Sequence, residues 1–126
     1  MNTDISSRED IYFIITAFYK KLINDKMMLP FFEEMVRENE LEDHINVITD
    51  FWQDNLLNTN SYKNNVLQKH LNFNKKVIFE KKHFQKWLHY FTITISDSFE
   101  GQISQNMIDR ANSIAMVMKV KLKLYD

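Results

Sequence analysis

Residues 84–99 read FQKWLHYFTITISDSF, and this stretch decides whether the chain is helical or builds a sheet. Its second half contains the alternating run TITIS, which by itself would favour a β-strand. Over the whole stretch, however, apolar side chains recur every three or four residues, which is the spacing of one helix face. These positions are Phe84, Trp87, Leu88, Phe91, Ile95 and Phe99. We therefore predict one long helix here, with Gly101 as its C-cap.

Other segments have the same helical spacing. Two serine capping signals precede a helix from about Ser7 to Asn24, a second helix covers Leu41 to Leu56, and a third covers Ser104 to Leu124. Pro30 begins a short helix, and another short apolar segment lies between Val66 and Leu71. Four long helices and two short ones, joined by connections too short for crossovers, predict an all-α bundle or a globin-like packing.

The amino-acid content fits a helical domain and excludes several classes of protein. A length of 126 residues predicts a single domain over residues 1–126, and one glycine and one proline are too few for the turns of a β-sandwich or doubly wound sheet. The absence of cysteine excludes disulfides, thiolate zinc sites and covalent haem attachment. The single glycine also excludes the glycine-rich loops that bind nucleotide phosphates.

The charge and the hydropathy pattern bear on partners and location. No apolar run is long enough to span a membrane, and the polar opening MNTDISSRED is unlike a secretory signal, so we expect a cytoplasmic protein that does not bind membranes. A net charge of −1 gives no support to nucleic-acid binding. Residues 33–54 contain eight acids and one base, whereas residues 63–86 contain seven lysines and one acid. These are either two solvated faces or docking surfaces for a charged ligand or partner.

The four histidines differ in their surroundings. His83 and His89 are six residues apart on one predicted helix, without a carboxylate at metal-ligand spacing, so we expect both at the surface. His44 lies on the apolar stripe of its helix, and His70 precedes an irregular turn. Each of these two is either a core residue with a satisfied hydrogen bond or part of a site.

Two aromatic residues with polar tips, Tyr19 and Trp87, also lie on or beside apolar stripes. A dry pocket with inward-facing Tyr, His and Trp donors, and a second His as ligand, is what a non-covalent haem site requires. An aromatic-rich helical interior without any cofactor is the alternative, and it would make the chain a helical protein-interaction module.

Five segments in this order resemble the truncated haemoglobins, most of all their group III. They are FYKKLINDK at residues 18–26, PFF at 30–32, HINVITDFW at 44–52, SYKNNVLQKHL at 61–71 and HFQKWLHYF at 83–91. The resemblance extends over nearly the whole chain and implies a shortened globin fold, two helices over two, around haem b. The family's prolines after the proximal histidine are absent from residues 72–79.

The resemblance also implies roles for individual residues. His70 would be the proximal ligand of the haem iron, while Tyr19, His44 and Trp87 would face a bound diatomic ligand and stabilise it. Lys69 would lie near the anionic haem propionates. The walls of the pocket would be apolar and would exclude water from the iron. The residues expected there are Phe18, Phe32, Ile48, Phe51, Trp52, Leu67, Phe84 and Ile114.

These donors favour redox chemistry on O2, NO or another diatomic ligand over oxygen transport. Several hydrogen bonds to bound O2 would hold it too tightly for delivery, and a small chain, expected to be a monomer, has no subunits to cooperate. Nitric oxide dioxygenation is the simplest such reaction, and it requires an electron-donating reductase. A peroxidase-like or ligand-sensing haem protein is the alternative.

Overall fold

Residues 2–59 and 80–121 are described by the structure, which is a computed structural model, and in these ranges the chain is helical. The helices are α1 (Arg8–Ile23), a short 3₁₀ helix (Leu29–Phe31), α2 (Glu33–Arg37), α3 (Leu41–Leu57), α4 (Lys81–Ser98) and α5 (Gln102–Lys121). The described ranges contain no β-strand, and the one bridge in them joins Thr3 to Phe99. The all-α prediction is confirmed, whereas the predicted short segment at Val66 to Leu71 lies outside the described residues.

The first helix begins and ends where its sequence signals predict. The Ser7 hydroxyl accepts a hydrogen bond from the Asp10 backbone N–H at 3.3 Å, and Asn24 is the C-cap. The carboxylate of Asp10 accepts the backbone N–H of Ser6 at 2.9 Å, so a second N–H at this end is also satisfied. The apolar stripe of α1 is fully buried, from Ile11 to Leu22.

Helix α4 passes through the TITIS run without interruption. Ile95 and Phe91 are buried on its inner face, and the Thr94 hydroxyl donates to the Tyr90 carbonyl at 2.6 Å. This bond satisfies the threonine hydroxyl inside the helix, so the polar atom of a residue that favours strands carries no burial penalty. The burial of one helix face therefore outweighs local β-propensity, and the helical prediction is confirmed.

Gly101 does not cap α4, so that prediction is wrong. Helix α4 ends at the extended C-cap Phe99, and Gly101 instead precedes α5 with a φ of 151°, a conformation that favours glycine. A β-carbon on Gly101 would overlap the Asp4 side chain. The Asp4 carboxylate accepts the backbone N–H groups of Ile103 and Ser104, each at 2.8 Å, and so caps α5. Because of this cap, α5 begins at Gln102 rather than at the predicted Ser104.

The long helices enclose one interior. Helix α1 packs against both α3 and α4, and α5 packs against α4 and α3. The buried side chains of this interior are rich in aromatic rings. The aromatic members are Phe18, Tyr19, Phe31, Phe32, Trp52, Phe84 and Phe91. Within residues 2–59 and 80–121, no helix combines the length and the apolar character needed to cross a lipid bilayer.

Candidate functional site

A tyrosine and a histidine from two different helices form a hydrogen bond inside the aromatic interior. The Tyr19 hydroxyl on α1 lies 2.8 Å from His44 Nε2 on α3. Tyr19 is 2% exposed and His44 is 7% exposed, so the pair is shielded from water. Burial raises the pKa of Tyr19 well above its usual value, and its phenol therefore keeps its proton. The two residues that the sequence singled out on separate stripes are thus in direct contact.

The tautomer of His44 decides which atom of the pair can bind a third group. When the imidazole proton is on Nδ1, the Tyr19 hydroxyl donates to Nε2. When the proton is on Nε2, His44 donates to the Tyr19 oxygen, and the phenol hydrogen can then point to another acceptor. The pair can therefore present an O–H donor to a ligand through a change of tautomer, without losing its own hydrogen bond.

Two phenylalanines hold the tyrosine ring in place. The Phe32 ring meets the Tyr19 ring edge-on, with centroids 5.3 Å apart and planes at 90°, and Phe18 meets it from another side at 5.4 Å. Phe18 also contacts Trp87 on α4, with ring centroids 5.7 Å apart. Trp87 is partly buried, and in the described part of the chain its indole N–H has no hydrogen-bond acceptor. The predicted residues Tyr19, His44 and Trp87 thus belong to one connected aromatic cluster.

Phe91 lies at the centre of this cluster, although the sequence analysis did not assign it to the site. Its ring contacts Phe18 at 4.9 Å, stacks on Trp87 at 5.4 Å with planes only 4° apart, and contacts Trp52 at 5.3 Å. Phe91 follows Trp87 by four residues on α4, so helical spacing is the signal that could have identified it.

The other predicted pocket residues differ in burial. Trp52, Ile48 and Phe84 are buried in the interior, whereas Phe51 and Ile114 are partly buried and pack against it. The remaining predicted residues lie outside the described ranges, and they are the proximal ligand His70 with Leu67 and Lys69. Their roles stay predictions.

His83 is buried, so the prediction that it lies at the surface is wrong. It is 8% exposed, its ring contacts Phe31 with centroids 4.8 Å apart, and burial lowers its pKa. Its Nδ1 accepts the backbone N–H of Glu80 at 2.8 Å, and the Glu80 side chain accepts from the His83 backbone in return. This reciprocal pair is a capping box at the start of α4. The usual sequence form of this box is Ser or Thr followed three residues later by Glu or Gln, so sequence alone does not indicate a box formed by Glu80 and His83.

The described residues fit one side of a haem pocket. Apolar rings from α1, α3 and α4 pack into one cluster, and this cluster includes the hydrogen-bonding side chains of Tyr19, His44 and Trp87. Such donors inside a dry interior suit a small polarised ligand. In residues 2–59 and 80–121, no three His, Asp or Glu side chains come together as metal ligands.

Comparisons with known proteins found one similar protein sequence and one similar structure. The group 3 truncated hemoglobin ctb of Campylobacter jejuni subsp. jejuni is 26% identical to this chain over 117 residues, covering 91% of the chain and 90% of that protein. The crystal structure of group III truncated hemoglobin from Campylobacter jejuni matches with a TM-score of 0.84 at 26% identity, covering 100% of this chain and 97% of that one.

No protein-family model matches the sequence. The structural match nevertheless extends over the whole chain and confirms the predicted shortened globin fold, and the sequence match leads to the same family. The chain is therefore similar to group III truncated haemoglobins in both sequence and fold.

Proposed function

We propose that the chain binds haem b through His70 and uses Tyr19, His44 and Trp87 to hold a diatomic ligand on the opposite face. The observation that carries the proposal is the buried hydrogen bond between Tyr19 and His44 at 2.8 Å. Burying polar groups in an apolar interior costs free energy unless they are paired, so a purely structural core would be as stable with two apolar residues there. A role in ligand binding explains why such a pair lies in this interior.

Bound haem would supply an iron atom that binds the diatomic ligand. In nitric oxide dioxygenation, one electron from this iron would be used each time one O2 and one NO form one nitrate ion. Tyr19, kept protonated by burial, would donate to the ligand, and His44 would support it by donating to the phenol oxygen. Trp87 has an indole N–H that lacks an acceptor in the described residues and would be a second donor. The rings of Phe18 and Phe91 would keep water away.

We infer that nitric oxide dioxygenation suits this arrangement better than oxygen delivery. A hydrogen bond to a charged acceptor contributes about 1.5 to 3 kcal/mol, so two donors would slow O2 release by roughly a hundredfold or more. Slow release is a disadvantage for a carrier. It is compatible with turnover, because the same donors stabilise negative charge that develops on the ligand during reaction.

The reaction would need an electron-donating reductase, and the exposed acidic surface is our candidate for its docking site. Six acids between the end of the 3₁₀ helix and the start of α3 are exposed. This surface immediately precedes His44 in the sequence and would attract a basic face on the reductase. The six acids are Glu33, Glu34, Glu38, Glu40, Glu42 and Asp43.

Absorption spectra of the purified protein test the haem part of the proposal. Ferric, ferrous and CO-bound spectra typical of a histidine-ligated haem b are expected, and His70→Ala should lose stoichiometric haem uptake or recover it only with added imidazole. A colourless protein that takes up no haem would favour the helical interaction module. A normal His-ligated spectrum in His70→Ala, lost instead in His44→Ala, would mean that the two faces are reversed.

Stopped-flow mixing of the O2-bound protein with nitric oxide tests the reaction. We expect one nitrate per haem within the dead time or a few milliseconds of mixing, followed by reduction of the ferric form by a cellular extract with NADH. Slow or substoichiometric nitrate formation would contradict dioxygenation. If the ferric form instead turned over hydrogen peroxide steadily while oxidising an added reducing cosubstrate, the peroxidase-like alternative would replace it.

A further inference from the structure

The carboxylate of Asp25, in the turn after α1, binds a helix that is distant in sequence. Its Oδ2 accepts hydrogen bonds from Lys86 Nζ at 2.6 Å and from the Tyr90 hydroxyl at 2.5 Å, both on α4. Its Oδ1 accepts the backbone N–H of Met27 at 2.8 Å and closes the turn itself. One side chain, 8% exposed, thus joins the end of α1 to the middle of α4. We call Asp25, Lys86 and Tyr90 the Asp25 clamp.

The clamp is ionic at neutral pH. The hydrogen bonds from Lys86 and Tyr90 lower the pKa of Asp25 to about 2, and the carboxylate in turn raises the pKa of Lys86. Hydrogen bonds between charged groups are roughly twice as strong as neutral ones. The Asp25 carboxylate is nearly buried, whereas Lys86 is 41% exposed, so water partly screens the ion pair. The Tyr90 hydroxyl adds a second hydrogen bond to the same carboxylate oxygen.

Helix geometry connects the clamp to Trp87. Lys86 and Tyr90 are four residues apart and share one face of α4, while Trp87 and Phe91 share the neighbouring face, about 100° around the axis. The first face borders an open groove of about 500 Å³, and the second contains Phe91, which is 1% exposed. The buried side chains of Phe91 and Ile95 hold the inner face of α4. The Asp25 clamp adds a second fixed point, on the face next to Trp87.

The contacts of the Trp87 indole itself hold its orientation only weakly. Trp87 meets Phe18 edge-on at 5.7 Å and stacks on Phe91 at 5.4 Å. Ring contacts of this kind restrain an indole weakly, because rings can slide over each other at little cost. No hydrogen bond within the described residues holds the indole N–H. A small displacement of this part of α4 would thus move the indole N–H without breaking a hydrogen bond to any described residue.

We propose that Asp25 is a positioning residue for Trp87: by clamping Lys86 and Tyr90 it fixes the part of α4 beside Trp87 and keeps the Trp87 indole N–H aimed at the bound ligand. The inference rests on the proposed function, in which Trp87 donates to that ligand. It predicts that a change at Asp25, whose partners include Met27, Lys86 and Tyr90, speeds the release of O2 but not of CO, because CO accepts hydrogen bonds poorly.

The test compares Asp25→Asn with the control Asp50→Asn in the haem-loaded protein. Asn at position 25 can still accept the Met27 N–H but loses the ionic bonds to α4. Asp50→Asn removes another interhelical ion pair, from Arg8 to Asp50 at 2.5 Å, which joins α1 to α3 and leaves α4 untouched. Tyr90→Phe and Lys86→Met each remove one donor of the clamp and serve if Asp25→Asn does not fold.

Two measurements follow each variant: the dissociation rates of O2 and CO, and the Trp87 indole N–H signal in a nitrogen-15 spectrum of the CO-bound protein, assigned with Trp52→Phe. In Asp25→Asn we expect the Trp87 signal to shift or broaden while that of Trp52 stays. We also expect O2 release to become about threefold faster or more, at an unchanged CO rate, with Trp87→Phe about tenfold faster. Asp50→Asn should change neither quantity.

The outcomes separate the two proposals. An unmoved Trp87 signal in Asp25→Asn, or O2 rates equal to those of Asp50→Asn while Trp87→Phe speeds O2 release, would overturn the positioning role. If the Trp87 signal moves in Asp25→Asn but Trp87→Phe leaves O2 release unchanged, the clamp does position Trp87. In that case the donor role of Trp87 in the proposed function is wrong.

Discussion

Replacing Tyr19 by Phe removes one hydroxyl from the interior and has two separable consequences. The ring remains, so its contacts with Phe18 and Phe32 are kept, and only the 2.8 Å hydrogen bond to His44 and any bond to a ligand are lost. Loss of a donor to a polarised ligand costs about 1.5 to 3 kcal/mol, which corresponds to O2 release faster by roughly tenfold to a hundredfold. CO release should hardly change.

The second consequence is a loss of stability in the haem-free protein. His44 loses its partner on α1 inside an interior where it is 7% exposed, so the free energy of unfolding should fall by about 1 to 3 kcal/mol. The assays are O2 and CO dissociation by stopped flow, and urea unfolding followed by circular dichroism.

Tyr12→Phe is the matched control for Tyr19→Phe. Tyr12 lies on the same helix, and its hydroxyl donates to Glu42 at the protein surface, so the change removes a Tyr hydrogen bond that water can replace. It should lower the free energy of unfolding by well under about 1 kcal/mol and leave O2 release unchanged. Equal O2 rates in Tyr19→Phe and Tyr12→Phe would refute the reasoning.

Two further predictions concern stability. Gly101→Ala should lower the free energy of unfolding by about 1 to 3 kcal/mol, because Gly101 has a φ of 151° and its β-carbon would overlap Asp4; thermal unfolding measures the loss, and an unchanged midpoint would contradict the contact. For His83, burial lowers the pKa below the unfolded value of about 6.5, so its contribution to stability is complete above that pH and is lost as the pH falls through the folded pKa. His83→Gln keeps an acceptor for the Glu80 N–H but does not titrate. In urea unfolding, the free energy of unfolding should therefore fall less between pH 7 and pH 5 in this variant than in wild type. The exposed control His89→Gln should show the same fall as wild type.

The helices and the caps of α1 could be predicted because they depend on residues close together in the chain. The three- or four-residue period of residues 84–99 outweighed the TITIS run, and Ser7 capped α1 as expected. Both signals act within one or two turns of helix. The same helical spacing placed Tyr19 and His44 on apolar stripes, where a buried polar atom needs a hydrogen-bond partner.

The partners themselves were decided by the tertiary structure. The Tyr19 and His44 bond joins positions 25 residues apart, the bond from Lys86 to Asp25 joins positions 61 apart, and the cap that Asp4 forms on Ile103 joins positions 99 apart. The spacing of apolar residues predicts which face of a helix is buried, but it does not predict which other helix packs against that face. The sequence by itself therefore determined an all-α chain with its donor residues turned inward. Only the packing of α1 against α3 and α4 decided which donors meet, because those contacts exist once the helices have buried their stripes against one another.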